Sequence, residues 1–322
     1  MTKATVKIQS IVFAVSIDHI YMERMLPTLR QLQYLKLLNE HGSFSRAAEA
    51  AHVTQPTLSA GIAELEKILG AAVVDRARSG VILTAAGEEA VSRAEAILAQ
   101  TGDLVQAARG AGHPLSGRFR LGVIPTIAPF LLPRALPLLR GKFPKLRLFL
   151  REDLTHRLAV TLKAGGLDAA LIALPYDMTG LDYAHVGDDE LLAALPSGHA
   201  LARHNSVTAA SMDAEEMILL EDGHCLRDHA LAACGLEPPR HYGEESFAAT
   251  SLPTLVQMVC SGLGVSFLPR MAVDAGLAEA ADVAVRPIGA DHPSREIVVA
   301  WRAGSSRAAE GRLLAETMKE AG

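Results

Sequence analysis

Ser43-Phe44-Ser45-Arg46-Ala47-Ala48-Glu49-Ala50-Ala51-His52-Val53-Thr54-Gln55-Pro56-Thr57-Leu58-Ser59 is the stretch on which the fold of the N-terminal part turns. Phe44 to Ala51 is rich in alanine and reads as a short helix capped by Ser43 or Ser45. His52, Val53 and Thr54 make a turn. Thr54 then caps a second helix, with Pro56 in its first turn, where a missing N–H costs nothing. Leu58, Ile62, Leu65 and Leu69 follow at helical spacing and give that helix one apolar face. A helix, a tight turn and a helix in this order predict a helix-turn-helix.

Upstream, Leu29, Leu32, Leu35 and Leu38 predict a preceding helix that His41, Gly42 and Ser43 end. Downstream, Val73-Val74 and Val81-Ile82 flank Arg76, Arg78, Ser79 and Gly80, the pattern of a two-stranded wing with a turn at its tip. Thr84 caps a longer helix. Along it Val91, Ala94, Ile97 or Leu98, Thr101, Leu104 or Val105, and Ala108 recur at three- and four-residue steps. Such a narrow apolar seam wants a partner helix. The glycine-bearing run 109–117 reads as a linker. Beyond Arg118 apolar strands alternate with helical stretches: Phe119 to Ile124, Pro129 to Gly141, Leu146 to Leu150, Thr155 to Ala164, Asp168 to Leu174. Glu190 to Leu195, Ile218 to Leu220, Val265 to Leu268 and Ile297 to Trp301 continue the strands. The pattern predicts an α/β domain with mostly parallel sheets, long enough for two lobes with a cleft between them.

With 322 residues, 49% hydrophobic and 21% charged, the chain is expected to form two or three compact units and not to be disordered. Aromatic residues are only 4%, which argues against an aromatic-rich β-sandwich or a carbohydrate platform. Three cysteines cannot build a disulfide framework, and their scarcity fits a reducing cytosol. The apolar run Ile8 to Ile17 is about half of the ~20 residues that span a bilayer, so no membrane segment is expected. No small-residue cleavage pattern follows it. Residues 1–25 therefore read as an extension without a fold of its own, with Met25 as the functional start, and the protein is expected in the cytoplasm.

A recognition helix needs short polar side chains at its N-terminal end to reach base edges. Thr54, Gln55, Thr57 and Ser59 supply them, and Gln55 can bond adenine bidentately. A plain helical hairpin has the same periodicity. Net charge favours that blander reading: it is −5 for the chain, and basic and acidic residues nearly cancel over residues 28–115. Phosphate attraction must then come from local charges and helix N-termini.

Ser43 to Ala48, Val53 to Ser59, Leu65-Glu66, Leu69-Gly70 and Leu83 to Gly87 together resemble the DNA-binding head of LysR-type transcriptional regulators. The resemblance covers residues 28–90. It implies a winged helix-turn-helix over 26–84, a linker helix and hinge over 85–117 that pairs protomers, and a two-lobed effector domain over 118–322 resembling periplasmic binding proteins. Double-stranded operator DNA is the implied partner, met by Arg30, Thr54, Gln55, Pro56, Thr57, Ser59, Arg76 and Arg78, and RNA polymerase is a second. The chain departs from the family in the middle of the recognition helix, where Gly61, Ala63 and Glu64 stand in place of basic residues.

The second chemical signal is Glu221-Asp222-Gly223-His224-Cys225-Leu226-Arg227-Asp228-His229-Ala230-Leu231-Ala232-Ala233-Cys234. Helix N-termini and nearby cations favour a thiolate. Asp222 is the expected N-cap, Gly223 lets the chain turn, and Cys225 falls in the first helical turn beside His224 and Arg227. Nine residues separate Cys225 from Cys234. In a helix they lie ~13.5 Å apart along the axis and on opposite faces, whereas a disulfide needs Cα atoms within ~7 Å. A bond between them requires the helix to unwind. The competing reading makes each cysteine a small buried hydrophobe, and Cys260 is given that reading. Zinc held by His224, Cys225, His229 and Cys234 matches no usual spacing, so no metal and no cofactor are expected.

Together with Leu121 to Thr126, Phe130 to Pro133, Phe143 to Leu146, Thr155-His156 and Ala249 to Leu252, this motif resembles the hydrogen-peroxide-sensing members of the LysR family over residues 28–315. The resemblance implies that Cys225 is the peroxide-reacting thiol and Cys234 the resolving one. It places Thr126, Thr155, His224, Arg227, Asp228 and Arg295 around the reacting thiol. Taken alone, Thr126 and Thr155 read equally as strand-end caps, and Asp228 and His229 as a solvated helix face. The implied protein is a homodimeric or homotetrameric regulator, not an enzyme, that turns peroxide into a conformational change. The alternatives are a LysR-type regulator responding to a small organic effector, with packing cysteines, and a thiol peroxidase. The DNA-binding head argues against the peroxidase.

Overall fold

Thr28 opens the first helix with a reciprocal cap: its hydroxyl accepts from Gln31 N–H, and the Gln31 side chain accepts from the Thr28 N–H. The computed structural model describes residues 26–77, 80–109, 114–213, 217–235, 248–279, 281–289 and 292–322. The extension 1–25 and the wing-tip residues Arg78 and Ser79 lie outside them. The chain divides into two compact units, one up to Gly102 and one from Asp103 onward.

The first unit holds α1 (Leu29–His41), α2 (Phe44–Ala50), α3 (Gln55–Leu69), β1 (Val74–Ala77) and β2 (Gly80–Leu83), and most of α4 (Ala85–Arg109). His52, in left-handed backbone at φ 54°, turns the chain from α2 to α3. Thr54 caps α3, accepting from Thr57 N–H, as expected. Ser43 occupies the cap position of α2 but makes no side-chain cap bond, and Ser45 lies inside the helix, so neither serine caps it. β1 and β2 pair antiparallel as the wing. Leu35, Leu38, Ala47, Leu58, Ile62, Leu65 and Val73 form the core. Gly61 has a packing reason. A Cβ there would sit 2.7 Å from the Tyr34 ring, so the close crossing of α1 and α3 excludes a larger side chain.

The apolar seam of α4 divides into a buried and an exposed part. Val91 and Ala94 are buried in the core of the head, whereas Ile97, Leu104 and Val105 remain 44%, 71% and 42% exposed. An uncovered apolar stripe on a long helix is what an intersubunit seam requires. Ile97→Asp and Leu104→Asp are each expected to leave the protomer folded and shift light scattering to a smaller species. Val91→Asp, by contrast, should destabilise the head by burying a charge without a partner. A parent-sized oligomer in both Ile97→Asp and Leu104→Asp places association elsewhere.

The second unit continues with β3 (Gly117–Val123), α5 (Ala128–Lys142), β4 (Leu146–Glu152), α6 (Thr155–Lys163), β5 (Ala169–Leu174), β6 (Leu181–Pro196) and α7 (Ala209–Asp213). Then follow β7 (Leu219–Leu220), α8 (Cys225–Cys234), β8 (Ala248–Ala249), α9 (Leu252–Cys260), β9 (Ser266–Pro269) and α10 (Arg270–Asp274). β10 (Val283–Pro287), β11 (Ser294–Arg302) and α11 (Ala308–Ala321) complete it. The seven-stranded sheet runs β10-β6-β11-β5-β3-β4, with β9 also on β6.

The expectation of mostly parallel sheets needs correction. Within this sheet only β3 with β4 and β3 with β5 are parallel; β6 pairs antiparallel with β9, β10 and β11, and β11 with β5. The cause is the 16-residue β6. Its polar first half pairs with β11, and its buried run Leu191–Leu195 pairs with β9 and β10. Only that apolar half has a strand signature in sequence. Two cores result: one around β3, β5, β11, α5 and α11, the other around the end of β6, α8, α9 and β9. β6 and β11 pass between them, so residues where these strands cross lie between the lobes.

Candidate functional site

Helix α8 is seated between the two cores. Leu226, Ala230 and Leu231 are buried in the second core, while Cys225 packs against the first. Cys225 and His229, four residues apart, therefore share the face turned toward the first lobe. Gly223, at φ 94°, brings the chain into α8 by a path that L side chains rarely adopt, and a Cβ there would press on Leu154 at 3.1 Å. The N-cap is His224, which makes no side-chain cap bond. Asp222 is not the cap; its carboxylate forms an ion pair with Arg227.

Burial pushes the Cys225 thiol above the ordinary cysteine value; the Thr155 hydroxyl and the Arg295 charge oppose that rise, and Asp228 adds to it. The expectation that His224 and Arg227 activate the thiol is corrected on both counts. Burial lowers the His224 pKa, so this ring is neutral near pH 7, and Arg227 is turned to Asp222. The cation acting on the sulfur is Arg295. Thr155 is buried at the head of α6, and its Oγ1 approaches the thiol closely enough to favour the thiolate without meeting hydrogen-bond geometry. Its hydroxyl and His224 Nδ1 are buried without a hydrogen-bond partner among the described residues.

His229 was expected on a solvated face and is instead 4% exposed. Its Nε2 donates to the Pro175 carbonyl at 2.8 Å, which leaves Nδ1 as the unprotonated nitrogen, buried and without a partner among the described residues. Burial lowers its pKa, and the bond to Pro175 opposes that shift only in part. Asp228, one position earlier, is exposed, as its alternative reading on a solvated helix face has it, while its charge still adds to the rise in the Cys225 pKa.

Arg295 is fully buried on β11. Its Nη1 donates to Thr126 Oγ1 at 2.7 Å and its Nη2 to the Thr126 carbonyl at 3.0 Å. Nε and Nη2 also donate to Asp189 Oδ2 at 3.0 and 2.9 Å. Thr126 follows β3 in the first lobe, so its hydroxyl serves the guanidinium. Asp189, absent from the sequence reading, lies directly across β6 from Arg295, and its Oδ1 accepts from Met271 N–H at the start of α10. Cys234 ends α8; its side chain lies outside what the structure describes. Cys260 is a free, half-buried thiol at the end of α9. Among the described residues no group of three or more metal-ligating side chains could hold an ion, and no helix is long and apolar enough to cross a membrane.

Two family descriptions match this chain: the bacterial regulatory helix-turn-helix protein of the lysR family over residues 29–88, and the LysR substrate binding domain over residues 112–322. The chain belongs to the LysR family of transcriptional regulators. As a LysR-type regulator it is not an enzyme. It is 38% identical to the HTH-type transcriptional regulator EstR of Acinetobacter baylyi, over 91% of this chain and 97% of that one. It is 37% identical to the DNA-binding transcriptional dual regulator OxyR of Escherichia coli, over 90% and 94%. Full-length OxyR of Pseudomonas aeruginosa, solved as a cysteine-to-aspartate variant, superposes with a TM-score of 0.72 at 34% identity, covering 91% and 98% of the two chains. A hydrogen-peroxide-bound OxyR variant of Corynebacterium glutamicum superposes at 0.63 with 30% identity and 92% coverage of each.

In the DNA-binding head of this LysR-type regulator, Thr54, Gln55, Pro56 and Thr57 form an exposed cluster at the start of α3, with Ser59 half-buried behind them. Ser45 Oγ lies 3.4 Å from Gln55 Oε1, and Thr54 and Thr57 hydroxyls are 2.8 Å apart. Arg30 is exposed near the start of α1. Arg76 stands on β1 with its side chain outside the described set, and Arg78 lies outside it altogether.

Proposed function

We propose that this regulator senses hydrogen peroxide through Cys225. The observation that carries the reading is what acts on the thiol at the head of α8: the buried Thr155 hydroxyl, which has no hydrogen-bond partner among the described residues, and the buried Arg295 guanidinium, whose charge opposes the rise in the Cys225 pKa. Buried polar groups are ordinarily satisfied. Hydrogen peroxide, with two donors and four lone pairs in a molecule little larger than water, suits such a set. The kinship with OxyR proteins supports the same reading.

In the proposed chemistry the Cys225 thiolate attacks one peroxide oxygen. The S–O bond forms as the O–O bond breaks, and the departing hydroxide takes up the thiol's proton to leave as water. Sulfenic acid at Cys225 then condenses with the Cys234 thiol to a disulfide, releasing a second water. The disulfide changes contacts within a homodimer or homotetramer, and so alters how α3 and the wing meet operator DNA and how RNA polymerase is engaged at peroxide-defence genes. The thiols are kept reduced in the cytoplasm.

A second reading, a small organic effector in the same cleft with packing cysteines, draws on the EstR relative. Counting thiols before and after one equivalent of peroxide separates the two. Two thiols lost per chain support peroxide sensing; none lost supports the small effector.

A further inference from the structure

We propose that Asp189 is a positioning residue of the redox site: it holds the Arg295 guanidinium in one fixed orientation, from which its charge acts on the Cys225 thiol. This rests on the peroxide-sensing reading above. Asp189 and Arg295 are cross-strand partners on β6 and β11, and they are 4% and 1% exposed. A guanidinium so deeply buried requires a counter-charge, and the Asp189 carboxylate is in contact with it.

The geometry does more than neutralise. Arg295 has five N–H hydrogens. Asp189 Oδ2 takes one from Nε and one from Nη2, while Thr126 takes one from Nη2 through its carbonyl and one from Nη1 through its hydroxyl. Among the described residues the hydrogen left over is on Nη1, the nitrogen on the Thr126 edge. Asp189 occupies the adjoining Nε–Nη2 edge, and Met271 N–H grips its second oxygen, so the carboxylate cannot follow a rotating side chain. The plane of the guanidinium is thereby fixed along two edges. In the peroxide reaction the starting thiolate and the departing hydroxide are both anions, and a fixed cation beside them stabilises each without having to reorganise. Released from Asp189, the side chain keeps only its Thr126 contacts and can turn its charge away from the sulfur.

The test uses the purified full chain. Asp189→Asn is expected to raise the pH midpoint of Cys225 alkylation by iodoacetamide, followed peptide by peptide, by about one unit, which at neutral pH is about a tenfold loss of thiolate. Peroxide-driven sulfenic acid formation should slow by at least that factor. In an Arg295→Gln background the same substitution should change neither readout, because Asp189 acts only through Arg295. An unchanged or lowered midpoint, or an equal effect with and without Arg295, overturns the proposal. Should Asp189→Asn fail to fold, Asp189→Glu carries the test: its displaced carboxylate must shift the midpoint only when Arg295 is present. If parental Cys225 proves inert to peroxide, the sensing reading fails, while the alkylation midpoint still decides the role of Asp189.

Discussion

Cys225→Ser is expected to abolish sulfenic acid formation, disulfide formation and the transcriptional response to peroxide together. Serine keeps the size of the side chain and a polar atom facing Thr155, so α8 should stay folded and DNA binding by the reduced form should persist. What is lost is the chemistry: a hydroxyl is neither ionised near neutral pH nor able to climb the sulfur oxidation ladder. Cys260 lies on a different helix, at the end of α9, and is not expected to substitute. Dimedone labelling read by mass spectrometry checks this directly. The parent should be labelled at Cys225, Cys225→Ser nowhere above background, and Cys234→Ser at Cys225 with label retained or increased, because no resolving thiol consumes the sulfenic acid. First labelling of Cys234 or Cys260 in the parent reassigns the reacting thiol.

The helix-turn-helix was legible because everything that specifies it is local: Thr54 caps α3, Pro56 sits in its first turn, and the 58-62-65-69 face is the face that is buried, Leu69 excepted. In the second unit the strands that carry an apolar run in sequence were legible, β4 among them although it is largely exposed. β5 and the end of β6 are such runs. The first half of β6 mixes polar and apolar residues without regular alternation and carries Asp188, Asp189 and Glu190, so its long antiparallel pairing with β11 left no mark that periodicity reads. Asp189 was hidden for the same reason, its partner lying 106 residues away. His229 is different. It stands four residues after Cys225, and the helical repeat places both on one face. A half-buried Cys225 facing the first lobe should have implied an inward-facing His229, but the polar run Arg227-Asp228-His229 obscured the signal. The thiol's environment was misjudged because sequence neighbours stood in for spatial ones: Arg227 turns away to Asp222, and the charge that reaches the sulfur comes from β11.

Oxidation is expected to dismantle α8. In the helix the Cα atoms of Cys225 and Cys234 are separated by nine residues, or ~13.5 Å along the axis, and a disulfide requires them within ~7 Å. Several interactions hold the helix as it stands. Leu226, Ala230 and Leu231 are packed in the second core, His229 is bonded to the Pro175 carbonyl, and Gly235 N–H returns to Ala232 and Leu231 carbonyls at the C-terminal end. Forming the bond must release most of them. Exposing two leucines at ~1.5–3 kcal/mol each lowers local stability by ~3–6 kcal/mol, about a hundred- to ten-thousand-fold in amide protection at 1.4 kcal/mol per decade. Hydrogen exchange across 226–234 should therefore accelerate by at least two decades in the oxidised parent. Peroxide-treated Cys234→Ser should keep its protection, because sulfenic acid alone does not shorten the chain path. An oxidised protein that carries the 225–234 bond with these amides still protected overturns the mechanism. If the exchange accelerates as expected, α8 is the bistable element: His229 gives up its hold on Pro175, which follows β5 of the first lobe, and the contacts that α8 makes between the two cores are lost. Peroxide chemistry at one sulfur then becomes a change in how the lobes are joined.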